Sequence, residues 1–493
     1  MRWQQRWLMM IGVGLGVTLM GAPTVQAAKV YRRSAVTKLK AKTYYSTSTT
    51  GKAYRFSGTR AKTRLKATVA LKNYRQTTWK ATKRVTLTRN HHAVKYVYVT
   101  NQQRKAHGWV WSGYLTLDSK RGKTVKGSTS KGVTSYRVKG DALTPYQSNK
   151  FSTVAVGNYA LGAINYAYDS DYATTNSFQT ANHTLKVAKR TSDSASNYVF
   201  KTALYLPIDY KGLGRKAVLG NPQSAAFSKN DHYLYVMYVD NAQASNAKQT
   251  GWVIRYDMTA LSKLFGSSLV SQDRLRRATN HYYNGTVTAV DQQVLNCMKV
   301  GPRFTTGHAQ SLALNPKTNQ LWFIKSYKDS YTAVVERLSA KTLKPNAKVS
   351  FKLNSKVHMG STLTFDKSGN AYYWTQTKSA WPTAPVNSVK FYKGVLGTGQ
   401  VHFKLIMQGL AKAPGKVLQS VSYNQQNGRL YLVADESIFS VPLAKLGHLT
   451  TRDVSCTNFS GHREFEGLIW RHRSNAGYLL TNKGPELMRL SYQ

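Results

Sequence analysis

QSLALNPKTNQLWFIK, residues 310–325, reads as an apolar strand, a polar turn and a second strand rich in aromatic and branched side chains. The same form recurs in QSAAFSKNDHYLYVMY from Gln223, STLTFDKSGNAYYWTQ from Ser361, QSVSYNQQNGRLYLVA from Gln419 and EGLIWRHRSNAGYLLT from Glu466. A third strand follows each copy, for instance WVIRYDM from Trp252, AVVERLS from Ala333 and ELMRLSY from Glu486. Strand, hairpin, strand, strand at intervals of about 45–60 residues is the pattern of propeller blades. Five blades are expected, with six the alternative, because residues from about 151 to 210 are β-like but match the repeat poorly and serve as a sixth blade or as closing strands. The longer interval between the Gln223 and Gln310 copies holds ALSKLF (Ala260–Phe265) and SQDRLRRATNHYY (Ser271–Tyr283), which predict a short helical insertion.

Aligning the copies gives a packing rule. The first, third and fifth positions of the inner strand are Gln223-Ala225-Phe227, Gln310-Leu312-Leu314, Ser361-Leu363-Phe365, Gln419-Val421-Tyr423 and Glu466-Leu468-Trp470, while the residues between them are mostly small. A bulky face meeting the small face of the next blade fills the crowded region around the axis. The polar residue that starts each strand then falls at one mouth of the channel. Gln223, His308, Gln310, His358, Gln419, Arg463, Glu464 and Glu466 are therefore the candidate ligand-binding residues. Capping of loose backbone groups is the alternative role for the same side chains.

The chain before the repeats differs in kind. Of its 493 residues, 71 are Lys or Arg and 20 are Asp or Glu, a formal charge of +51, and no acid precedes Asp118. With 41% hydrophobic residues and 32 tyrosines, the chain has enough apolar side chains for a core, so the charge sits on a folded protein. Arg2 and Arg6, an apolar run from Trp7 to Met20 and the small-residue exit to Ala27 predict a cleavable secretory signal over residues 1–27. Residues 28–118, with RVTLT, VKYVYVT and GWVWSGYL, predict a small basic barrel, and the Ser/Gly/Lys-rich residues 119–150 a flexible linker before a propeller over 151–493. Without a lipobox cysteine, a sorting motif or a second apolar span, attachment to a cell is expected to be non-covalent, with no transmembrane anchor. Export leaves anionic wall polymers, and not nucleic acid, as the polyanion within reach.

Chemistry other than binding has little support in the residues. Glu464 and Glu466 are the one carboxylate pair suitably placed for hydrolysis of a glycosidic bond, and an ion-paired structural role beside Arg463 is the competing expectation. The protein is accordingly expected not to be an enzyme. His308, His358, His462 and His472 lack metal-ligand spacing, so no metal and no cofactor is expected. Cys297 and Cys456 can be one bridge or two separate thiols.

YYSTSTTGKAYRF (Tyr44–Phe56), LKNYRQTTW (Leu71–Trp79) and the closing GWVWSGYL (Gly108–Leu115) resemble the GW-type, SH3-like wall-binding modules of lactic acid bacteria. That resemblance implies adhesion to teichoic or lipoteichoic acid. Trp109, Trp111 and Tyr114 are the candidate wall-binding aromatics of the module. The remainder, with TTGHAQSLALNPKTNQLWF (Thr305–Phe323) and REFEGLIW (Arg463–Trp470), is similar to extracellular lactobacillal proteins and more remotely to helveticin-type bacteriolysins. The leading expectation is an all-β secreted cell-surface protein, an SH3-like barrel followed by a propeller that presents its channel mouth to a glycan or host surface ligand. A wall-active antibacterial protein is the second reading and a channel glycoside hydrolase the third.

Overall fold

The computed structural model describes residues 29–46, 48, 50–74, 78–101, 106–117, 122–156, 184–190, 198–208, 219–240, 248–266, 273–325, 331–354, 357–415, 417–459, 463–482 and 484–492. The expected signal over 1–27 and His462 lie outside them. The chain divides into two compact units, residues 1–119 and 120–493.

In the first unit, alternating branched and aromatic residues give strands whose pairing returns on itself. Val30–Arg33 pairs with both Thr63–Ala70 and Trp79–Arg89, and the path between them runs through Lys52–Ser57, Ala106–Trp111 and His92–Asn101. One set of alternate residues, among them Ala53, Ala81, Val97, Val99 and Val110, forms the core with Leu71 and Trp79. Gly108 has φ +155°, and a Cβ there would stand 3.0 Å from the Ala53 Cβ, so glycine lets these two strands meet closely.

The second unit is a five-bladed propeller. Blade 1 begins at Asn221–Phe227, blade 2 at Ala313–Asn315, blade 3 at Thr364–Phe365, blade 4 at Leu418–Asn424 and blade 5 at Glu464–Trp470. Each inner strand is followed outward by antiparallel neighbours, in blade 5 Gly477–Asn482 and Glu486–Tyr492. The bulky and small faces interlock around the axis. Leu312 and Leu314 of blade 2 pack with Ala226 of blade 1, and Leu363 and Phe365 of blade 3 pack with Ala313 of blade 2. Phe227 of blade 1 shares a core with Ile469 of blade 5, which joins the first blade to the last.

Closure comes from the early segment, and there is no sixth blade among the described residues. Tyr198–Tyr205 pairs antiparallel with the final strand Glu486–Tyr492, and Thr184–Leu185 lies outside it. Val187–Arg190 is the outermost strand of blade 4 and Ser152–Val154 that of blade 3. The stretch expected to be a flexible linker, 119–150, is corrected. Val133–Asp141 runs parallel to Pro345–Lys352 of blade 2, and Thr124–Ser130 forms the rim beyond it. Six of the seven rim residues are exposed, so this strand needs no apolar alternation, and its lysine guards an open edge.

The insertion in blade 1 is three helices. α1 (Met258–Phe265) is capped by Asp257, whose carboxylate accepts from the Ala260 amide at 2.8 Å. α2 (Arg274–Asn284) ends on left-handed Gly285, and α3 (Ala289–Leu295) opens with a Thr288–Asp291 capping box. Arg276 of α2 is fully buried and donates to the carbonyls of Leu206 and Pro485, which tie the insertion to the closure of blade 5. Cys297 and Cys456 are free thiols buried in different cores. No described helix is long and apolar enough to cross a membrane.

Candidate functional site

Gln223, Gln419 and Glu466 share a feature that no periodicity displays. Each is the extra residue of a β-bulge: the ladder passes from Pro222 to Ser224, from Leu418 to Ser420 and from Phe465 to Gly467. A bulge takes one residue out of the pleat and re-aims its side chain. In blade 5 it also shifts the phase, so that Phe465 packs in the same core as Leu468 and Trp470.

The re-aimed side chains bond to one another across blades. Gln223 Nε2 donates to Glu466 Oε1 at 2.9 Å. Gln310 Nε2 donates to Gln419 Oε1, and Gln419 Nε2 donates to Asp435 Oδ1 at 2.8 Å. Asp435 also accepts from the Phe465 amide at 3.2 Å. All four side chains of the column are buried, Glu466 to 1% and Gln419 to 2% exposure. The channel lined by the inner strands of all five blades holds only about 70 Å³, room for a few waters and not for a sugar ring. Glu466 Oε2 is enclosed without a hydrogen-bond partner. Burial, and after it the charges of Glu464 and Asp435, push the Glu466 carboxyl well above its ordinary range.

Three other expected mouth residues are placed differently. The Arg463 guanidinium points into blade 5, donating to Glu486 Oε2 at 2.8 Å, Thr481 Oγ1 at 2.7 Å and the Gly484 carbonyl at 2.9 Å. His308 Nδ1 lies 3.2 Å from Gln249 Oε1, and the His358 ring stacks on Tyr331 with centroids 4.4 Å apart. Among the described residues no cluster of His, Cys, Asp and Glu is built to hold a metal ion.

The geometry assigns the column a structural part. Gln310→Ala and Gln419→Ala are each expected to cost about 1–3 kcal/mol, because each strands a buried partner. Thermal melts beside glycan binding check this, and reduced binding with an unchanged melt would return the column to ligand contact.

Space of useful size lies at the other end of the inner strands, where the hairpins turn. A cavity of about 600 Å³ is lined by Lys229, Asn230, Tyr233 and Tyr235 of blade 1, Leu314, Pro316 and Leu321 of blade 2, Gln425 of blade 4, and His472 and Arg473 of blade 5, among others. The sequence reading missed this cavity because most of its lining is turn and loop residues, which look the same whether they cap a hairpin or face a ligand.

The first unit carries a second distinctive surface. Strand alternation that buries Val97, Val99 and Val110 sends Tyr96, Tyr98, Trp109 and Trp111 to the opposite face. Register places Lys83, Tyr98, Trp109 and Tyr54 in one row across four strands, with Tyr96 opposite Trp111 in the next. Trp109 stacks on Phe56 with centroids 5.1 Å apart and planes 7° from parallel. Tyr98 meets Trp109 edge-on at 5.3 Å, and Trp111, 38% exposed, meets Tyr114 edge-on at 4.8 Å. Lys83 Nζ lies 5.8 Å from the Tyr98 ring centre and the Arg33 guanidinium 6.0 Å from that of Phe56.

No family model matches the chain. No curated protein matches it either. Among solved structures it is similar to a gluconolactonase of Xanthomonas campestris, with 8% identity over 68% of this chain and 99% of that one, at a TM-score of 0.31.

Proposed function

We propose that the protein is an exported binding protein that holds anionic wall polymer, of the teichoic acid class, through its first unit, in keeping with the resemblance of that unit to SH3-like, GW-type modules. The observation that carries this reading is the aromatic row of Tyr54, Tyr98 and Trp109 with cations at its margins, on a unit without a single acid before Asp118. Phosphate repeats of the polymer meet Lys and Arg, and its polyol or sugar carbons lie against the rings. Aromatic faces contribute contact area at little entropic cost, and the excess of positive charge speeds encounter.

Purified walls with and without teichoic acid test it on the full chain. Binding is expected to require the polymer and to fall about tenfold or more as salt rises from about 50 to 200 mM, because bound cations release counterions. Replacing Lys83 and Arg33 with Gln is expected to flatten that salt dependence, and Trp111→Ala to weaken binding at every salt concentration. Equal binding to stripped walls would sink the reading.

A further inference from the structure

We propose that the 600 Å³ cavity at the hairpin end of the propeller is a binding site for a small anionic sugar, a single ring bearing phosphate or carboxylate. Its volume falls within the range of small-molecule pockets, whereas the axial channel is too narrow for a ring.

Three observations set the ligand class. First, the lining is cationic. Lys229 and Arg473 line the cavity and no carboxylate does. Neither cation makes an ion pair among the described residues, and the Asp231 carboxylate, in the same rim, is directed at the His472 amide at 2.7 Å and the Arg473 amide at 2.9 Å. Second, one side is aromatic. The Tyr233 ring is fixed by the Arg255 guanidinium 4.3 Å from its centre and by His232 edge-on at 4.2 Å, with Tyr235 beside it at 6.4 Å. Ring carbons of a sugar pack on such a face while its charged group reaches the cations.

Third, the rim is braced before any ligand arrives. Asp231, at φ +60°, joins blade 1 to blade 5 through those two amides. Gln426 Nε2 of blade 4 donates to the His472 carbonyl at 3.0 Å, and Asn424 Nδ2 donates to Asn475 Oδ1 at 2.6 Å. Three blades therefore hold the loops that carry Arg473 and Lys229, and a ligand has little ordering to impose.

The test is calorimetric titration of the full chain with glucose phosphate, glucuronate, glucose and inorganic phosphate. Either charged sugar is expected to bind about tenfold or more tightly than glucose or phosphate alone, and the stronger of the two names the anionic group. Lys229→Gln with Arg473→Gln is expected to weaken that binding about tenfold or more with an unchanged melt, since both side chains are exposed. Tyr233→Leu is expected to reduce the preference for the sugar over phosphate; should that variant melt early, the exposed pair carries the test alone. Trp111→Ala in the first unit should leave sugar binding as it was, so this site and wall attachment fail or stand separately. No saturable binding of either charged sugar, binding indifferent to the paired replacement, or equal affinity for glucose would overturn the proposal.

Discussion

Glu486→Ala is expected to destabilise the propeller by about 3–5 kcal/mol, the scale for removing one partner of a buried ion pair. Glu486 is fully buried and holds three parts of the closure together. Its Oε2 accepts from Arg463 Nη1 at 2.8 Å, and its Oε1 accepts from Thr202 of the closing strand. Arg276 of α2 is also near enough for the Glu486 charge to favour its cationic form, while burial pulls its guanidinium down to about 10. Removing the carboxylate takes from two buried arginines the counter-charge that Glu486 supplies. Denaturant unfolding of the propeller transition checks this, beside the double replacement Arg463→Met and Glu486→Leu. The double variant should recover part of the loss, because an apolar pair of similar size replaces Arg463 and Glu486, while the buried Arg276 cation keeps only its carbonyl acceptors. A loss below about 1 kcal/mol for Glu486→Ala would show that the closure does not depend on this carboxylate.

Glu466→Gln is expected to stabilise the protein, and increasingly so as pH rises. Burial first, then the charges of Glu464 and Asp435, raise the Glu466 carboxyl, while hydrogen bonds from Asn482 and Gln223 draw it partly back. An acid whose folded value is raised contributes stability that is complete below its unfolded value, near about 4.3, and is lost as pH climbs through the folded value. Glutamine keeps the oxygen that accepts from Gln223 Nε2 and cannot ionise. Melts of the two proteins should therefore coincide in acid and separate above it, with the variant higher. A variant that melts lower at every pH by the same amount would mean that the carboxyl is held as a well-bonded ion.

The blades were legible because alternation and volume coincide in the inner strands. Leu312, Leu314, Leu363 and Phe365 announce a buried face, and the small residues between them announce its neighbour. The bulges were not legible: EFEGLIW scans as plain alternation from Glu466, with Phe465 out of phase, until the ladder shows that one residue is extra. The chemistry of the strand-start column depends on contacts between blades. Gln310 and Gln419 are 109 residues apart and bond directly, which no local pattern encodes. Arg463 stands beside a strand start in the sequence, whereas its guanidinium turns into blade 5 to meet Glu486, 23 residues on.

The order in which the chain leaves the ribosome gives the rim strands a further meaning. Thr124–Ser130 and Val133–Asp141 are made long before Pro345–Lys352, the strand through which they join blade 2 among the described residues, and Tyr198–Tyr205 must wait for the last residues of the chain. Pairings of such sequence separation form late and slowly, and unpaired strands in waiting are where chains aggregate. KTVKGSTSKGVTSYRVKG, residues 123–140, is suited to that interval: its lysines keep it dissolved and mutually repelled, and of its few apolar side chains Val138 and Tyr136 find their core in the finished blade. Solubility of the nascent chain is thus a second demand, beside the needs of the finished blade, that the polar letters of these two strands meet.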